Sequence, residues 1–201
     1  MKTRTRRTEI IALTLLSLLT VFCSRGTSQV ASSEPLIKSI KGMHDNVKTF
    51  MLGAADEFPE KEYTFQATPE VRTVAQLFMH VAYWQYYFCG QAKGEEPTRH
   101  PLLQAFHDNN ERIQGMKIEP SKANVVAALR ASYDYCDSVF ASLTPEQAGQ
   151  VIRAPGFMNV NEAPRVHFLS YNVSHANEHY GNIVTYLRLK GHVPPSTANA
   201  R

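Results

Sequence analysis

The sequence predicts an all-α fold, a four-helix bundle. Apolar residues recur at helical spacing over four long stretches, these stretches open on capping residues or proline and close on glycine, and no alternating pattern is long enough to build a sheet. The first helix is expected from about Pro35 to Asp56, with Ser33 as N-cap and Pro35 in the first turn. Its apolar side is Leu36, Ile40, Met43, Val47, Phe50 and Met51. Glu57 to Gln66, with Pro59, reads as a loop. The second helix is expected to open on Thr68 as N-cap, Pro69 at N1 and Glu70 at the positive end of the dipole. It continues through Val74, Leu77, Phe78, Val81, Trp84 and Phe88 to an end near Gly90 or Gly94.

In the connector Glu95 to Glu119, Pro97, Pro101, Gly115 and Pro120 bracket a short helix from Leu102 to Ile113. The third long helix starts at Ser121 and runs through Val125, Leu129, Tyr133, Cys136 and Phe140. Thr144-Pro145-Glu146 then opens a short helix, and Ile152 to Val160 reads as a loop turning at Pro155-Gly156. The fourth helix is expected from about Glu162, with Pro164 in its first turn, to Lys190. Gly191 suits the C′ position, and Pro194-Pro195 are expected to stop the chain. The bundle thus spans residues 33–195 as one domain.

Residues 1–31 read as a signal peptide with an open cleavage site. Lys2, Arg4, Arg6 and Arg7 form a basic start, Ile10 to Phe22 is an apolar run of thirteen, and Gly26-Thr27-Ser28 follows. The run is short for a membrane span, so a membrane is a partner only if this segment is retained as an anchor. Thr5-Arg6-Arg7 is a weak twin-arginine signal because Glu9 stands where an apolar residue belongs, and Phe22 is too bulky for a lipobox before Cys23. Export to the periplasm or cell envelope is the expectation. The leader holds five basic residues and one acid, more than the whole chain's net +3, which leaves the remainder near −1. No basic stripe remains there for phosphates, which argues against nucleic acid as a partner.

Cys89 and Cys136 either pair, as export allows, or are two buried free thiols; the expectation is free thiols. Neither has an activating base nearby in sequence.

Eight histidines punctuate the chain, and three stand out. His175 and His179, four apart, share one helix face. His80 lies on an aromatic-rich helix face with Thr73, Gln76, Leu77, Tyr83, Trp84 and Tyr87. Three neutral imidazoles meeting inside a bundle make a divalent-metal site with open positions. The alternative for each is a satisfied core histidine. The order His175-Ala176-Asn177-Glu178-His179 is not the zinc-peptidase pattern, because Glu178 turns about 100° away from His179. Tyr83, Tyr87, Asn172 and Asn182 are the candidate pocket residues. His44 is a candidate for an outer or fourth ligand, His167 is too far along the helix to join both members of the pair, and His100, His107 and His192 are expected in solvent.

Three segments resemble one family. Phe65 to Thr73, ahead of the helix carrying His80, is similar to its entry segment; His175 to Gly181 is similar to its second histidine motif; Thr185 to Pro195 is similar to its closing stretch. The family is the DinB superfamily, also called the DinB/YfiT-like metalloproteins. The resemblance implies a four-helix bundle of the DinB-like type, often dimeric, with His80, His175 and His179 at the three ligand positions. It implies zinc or nickel first, with iron or manganese as further options. Family members of known activity include thiol-dependent transferases and isomerases; the leader is the departure here, since low-molecular-weight thiols are in the main cytosolic. The functional expectation is a metal-dependent transferase or hydrolase acting on an unknown small molecule, with no catalytic base assigned. The alternative is a non-catalytic metal or small-ligand binding protein of the cell envelope, and a third reading is a helical module with buried histidines.

Overall fold

The computed structural model describes residues 34–95, 121–157 and 160–198. The leader, the expected Leu102–Ile113 helix, His100 and His107 lie outside these residues. Four long helices dominate: α1 (Glu34–Glu57), α2 (Val74–Lys93), α3 (Lys122–Ser142) and α5 (Arg165–Leu189). A short α4 (Pro145–Gly149) and a hairpin of β1 (Val151–Phe157) and β2 (Val160–Pro164) join α3 to α5, and α6 (Pro195–Ala198) follows α5. The fold is an all-α bundle. The principal packing is α2 on α3, α2 on α5, α1 on α5 and α1 on α3. That pattern sets α1 and α2 on one diagonal and α3 and α5 on the other. No helix among the described residues is long and apolar enough to cross a membrane.

The core follows from the helical spacing. Val47, Met51, Phe58, Phe78, Leu129 and Ile183, from all four long helices and the turn after α1, are fully buried in one cluster. Ile40, Phe88, Phe168 and Leu169 anchor a second cluster towards the hairpin end. Burying each such side chain contributes about 1.5–3 kcal/mol.

The start of α2 departs from expectation. Thr68-Pro69-Glu70 makes a turn, closed by the Val71 amide donating to Thr68 O at 3.2 Å, and the helix opens at Val74. The reason is a stronger local signal further on. Thr73 and Gln76 form a reciprocal capping box, each side chain accepting from the other's amide at 3.2 and 2.9 Å. Backbone bonds from Val74 to Phe65 O and from Ala75 to Tyr63 O hold the incoming chain against the helix start. At its far end α2 stops at Gly94, φ 87°, where Arg165 donates to Ala92 O at 3.2 Å. A Cβ on Gly94 would meet Arg165 Nη1 at 2.6 Å, so this position needs glycine for both backbone and space.

Residues 152–157 and Val160, expected within a loop, belong to the antiparallel hairpin. Ala154 and Ala163 are buried beneath it, and Arg153 pairs across the strands with Glu162 in register. Pro155 falls where the register shifts between Arg153 and Phe157, the place a strand tolerates a missing N–H. The hairpin delays α5 to Arg165, and Pro164 is its N-cap rather than part of its first turn. Two further expectations at the C-terminus are corrected. Pro194-Pro195 do not stop the chain: α6 returns to the bundle, where the Ser196 amide donates to Tyr180 Oη at 3.0 Å. His192 is not solvated: its side chain is 23% exposed, lies 2.8 Å from Glu62 Oε2 and meets the edge of Phe58.

Cys89 and Cys136 are joined in a disulfide linking α2 to α3, which overturns the expectation of free thiols. The two helices are close neighbours, and their Cα atoms approach to 5.4 Å here, within ordinary disulfide reach. Both residues are fully buried.

Candidate metal centre

The antiparallel neighbours α2 and α5 bring the three histidines together. His175 Nε2 lies 3.0 Å from His179 Nε2 and 3.3 Å from His80 Nε2, and all three ligand atoms fall within 4.8 Å of one another. His179 is buried, and His80 and His175 are half-buried. Burial pushes His80 down to about 2, with Arg72, His179 and His175 adding to the effect, and pushes His175 down to about 3, with His179 and Arg72 adding to it. His179 is also lowered, chiefly by burial; Glu178 opposes the shift and Arg72 reinforces it. The three rings are therefore neutral at ordinary pH, the state in which an imidazole binds a metal.

The contacts among them test whether a cation fits. A ring nitrogen either carries a proton and donates or presents a lone pair and accepts. His175 Nε2 touches two other Nε2 atoms, so at most one contact is a hydrogen bond. The other is left without a well-directed donor and acceptor. A cation shared by three lone pairs removes the conflict. Two nitrogens bound tetrahedrally at about 2.05 Å stand about 3.3 Å apart, close to the spacings found. Among the described residues no fourth histidine, cysteine or carboxylate joins the group.

The surroundings are asymmetric. Trp84, one turn after His80, meets the edges of His80 and lies 5.7 Å from the His175 ring. Phe88 stacks on Trp84 and reaches both His175 and Tyr171. Tyr83 and Tyr87 pack on Trp84 with ring centroids at 5.2 and 5.1 Å. On the other side, Asn182 places its amide nitrogen 3.3 Å from His179 Nδ1, and Tyr186 donates to Arg72 O at 2.9 Å.

Two expected site residues are held elsewhere. Asn172 is buried and donates to Gln85 Oε1 at 2.6 Å, 3.7 Å from each disulfide sulfur. Gln85 Oε1 also sits 2.9 Å from Cys136 Sγ, a contact rather than a hydrogen bond because a disulfide sulfur carries no proton. His44 is fully buried between Tyr133 and Phe140, 3.4 Å from Asp137, and is not part of the three-histidine group. His167 packs on Phe168 and Tyr171. The residue to which the spacing argument gave no role is Arg72. Its only sequence signal was a lone cation immediately before the helix that carries His80.

A helical bundle with three convergent imidazoles defines the class, and the comparisons place the chain within it. The family model of the DinB superfamily matches residues 46–183, so the chain belongs to the DinB superfamily. A crystal structure of a DinB-like protein from Bacillus subtilis shares the fold, with a TM-score of 0.59 and 15% identity over 77% of this chain and 94% of that one. No curated protein matches the chain in sequence.

Proposed function

We propose that the protein binds one divalent metal through Nε2 of His80, His175 and His179 and acts on a small molecule there, as a metal-dependent transferase or hydrolase. The observation that carries this reading is the crowding of three Nε2 atoms at ligand spacing, a contact set that a shared cation would satisfy. Imidazole donors suit zinc and nickel, with iron and manganese as further options. A bound ion would lower the pKa of water or a thiol entering an open position and polarise a substrate oxygen.

The chain's own groups do the rest. With Nε2 on the ion, His179 keeps its proton on Nδ1, and the Asn182 side chain, turned carbonyl-inward, accepts it and fixes the ring. Trp84 and Phe88 wall one side from water. His44, the residue that would close the site as a storage centre, is engaged against α3, which favours exchange and turnover over passive holding. The disulfide supports export to an oxidising compartment.

Elemental mass spectrometry on the untagged mature protein, isolated without chelators, tests the proposal. About one ion per chain, lost in His175→Ala and His179→Ala, is expected. A folded protein that holds no metal and cannot be loaded overturns it.

A further inference from the structure

Aromatic side chains lead away from the histidines in a continuous row. Trp84 stands with its ring centroid 6.1 Å from that of His80 and 5.7 Å from that of His175. Tyr83 meets Trp84 edge-on at 5.2 Å. Tyr86, three residues further along α2, packs with Tyr83 in one buried cluster. Tyr135 of α3 then lies 5.1 Å from Tyr86. These separations are those of aromatic rings in contact. The row ends in an acid–base contact. The Tyr135 hydroxyl donates to Glu95 Oε2 at 2.5 Å, while Lys93 holds the other carboxylate oxygen at 2.7 Å. Burial and Glu95 keep the Tyr135 phenol above its ordinary range, so it carries its proton at neutral pH. Tyr83 and Tyr86 are buried, Trp84 and Tyr135 are half-buried, and Glu95 is exposed. The row is thus dry in its middle and ends near the surface on a phenol with a proton acceptor already in place.

We propose that Tyr135, Tyr86, Tyr83 and Trp84 conduct single electrons from the α2–α3 surface to a one-electron oxidant at the histidines. The oxidant is a redox-active transition-metal ion of the iron or manganese class, so the inference rests on the metal reading above and narrows its choice of ion. Trp84 gives one electron to that ion and regains one from Tyr83. Tyr83 and Tyr86 pass the electron along and end as they began. Tyr135 supplies it, and its phenolic proton moves to Glu95 Oε2. The balance is an ion reduced by one electron, a neutral phenoxyl radical on Tyr135 and a carboxylic acid at Glu95. The hydrogen bond to a carboxylate is what lets Tyr135 lose the electron without keeping a positive charge.

Trp84 is the only tryptophan in the chain, so a radical can be started at one known place. Pulse radiolysis of the mature protein in azide solution saturated with nitrous oxide supplies the azide radical, which takes an electron from indole in preference to phenol. The indolyl absorption is expected to decay as the tyrosyl absorption grows, at a rate independent of protein concentration. Tyr135→Phe is expected to lose that conversion, Tyr83→Phe to slow it by breaking the row, and Glu95→Gln to slow it by removing the proton acceptor. Tyr180→Phe, outside the row, should convert like the wild type, and circular dichroism checks that each variant is folded. A persistent indolyl radical, a conversion that scales with protein concentration, or a Tyr135→Phe or Glu95→Gln protein that converts like the wild type each overturns the proposal. Zinc as the only ion the protein holds overturns the path's origin at the histidines while leaving the metal reading intact. A protein that holds no metal strikes the metal reading, whereas the transfer from Tyr135 is still read from Trp84 itself.

Discussion

Replacing both Cys89 and Cys136 with alanine removes the covalent link between α2 and α3. The bond spans 47 positions. The loop-closure entropy it takes from the unfolded chain corresponds to about 4 kcal/mol at 25 °C. For a domain of this size each kcal/mol moves the melting temperature by about 2–4 °C, so the double variant should melt about 8–16 °C lower. Both sulfurs are fully buried, and Asn172 of α5 leans on them through its amide, so lost packing adds to the entropy effect rather than offsetting it. The assay is paired urea and thermal unfolding, followed by circular dichroism, on the oxidised protein and the variant. Intact mass after alkylation reports the bond itself. A loss below about 1 kcal/mol, or two alkylated thiols in the untreated wild type, would refute the reasoning.

Two other perturbations follow from the same frame. His44 is held down to about 4 by burial, against an ordinary value of 6.5. Above pH 6.5 it is neutral both folded and unfolded and costs nothing; as pH falls from 6.5 towards 4 the unfolded chain takes the proton first, and stability drops by up to about 3 kcal/mol before levelling off. His44→Phe, which suits a pocket between Tyr133 and Phe140, should flatten the stability profile in that window, and parallel wild-type and variant profiles from urea unfolding would contradict it. Thr73→Ala breaks the capping box of α2 and should cost about 1 kcal/mol in thermal unfolding, whereas Thr68→Ala, outside the helix, should cost much less. The reverse order would return the helix start to Thr68.

The bundle was legible because its signals are local and repeated. Ser121, Thr144 and Gly191 act as caps where expected, and Val125, Leu129, Tyr133 and Cys136 of α3 are buried as their spacing predicts, whereas Leu36 and Met43, expected on the apolar side of α1, are exposed. What misled was competition between signals of similar strength. Thr68-Pro69 carries a helix-start signal in sequence, but the reciprocal pair of side-chain bonds between Thr73 and Gln76 sets the start. The hairpin after α4 was hidden because the side chains it buries at Ala154 and Ala163 are small and Pro155-Gly156 looks like a turn. Cysteine pairing was hidden for a different reason: it depends on α3 lying beside α2, a tertiary fact that spacing along the chain does not encode.

Asn172 and Asn182 show the same limit within the site. Each stands three residues outside the His175–His179 pair, one before and one after, so helical periodicity treats them alike. Their fates differ because α5 crosses two environments. At the level of Asn172 the neighbours are Gln85 and the disulfide, and the amide closes a buried polar contact. Three residues after His179, Asn182 meets its ring nitrogen at the exposed edge. The pair of histidines lies between the level of the disulfide and the level of the principal core cluster. His179 is buried and His80 and His175 are half-buried there, and burial is the chief cause that keeps the three imidazoles neutral. Apolar side chains at these three places would hold α2 to α5 more firmly than rings whose nitrogens oppose one another. On the metal reading proposed above, a cation shared by the three nitrogens would offset that loss.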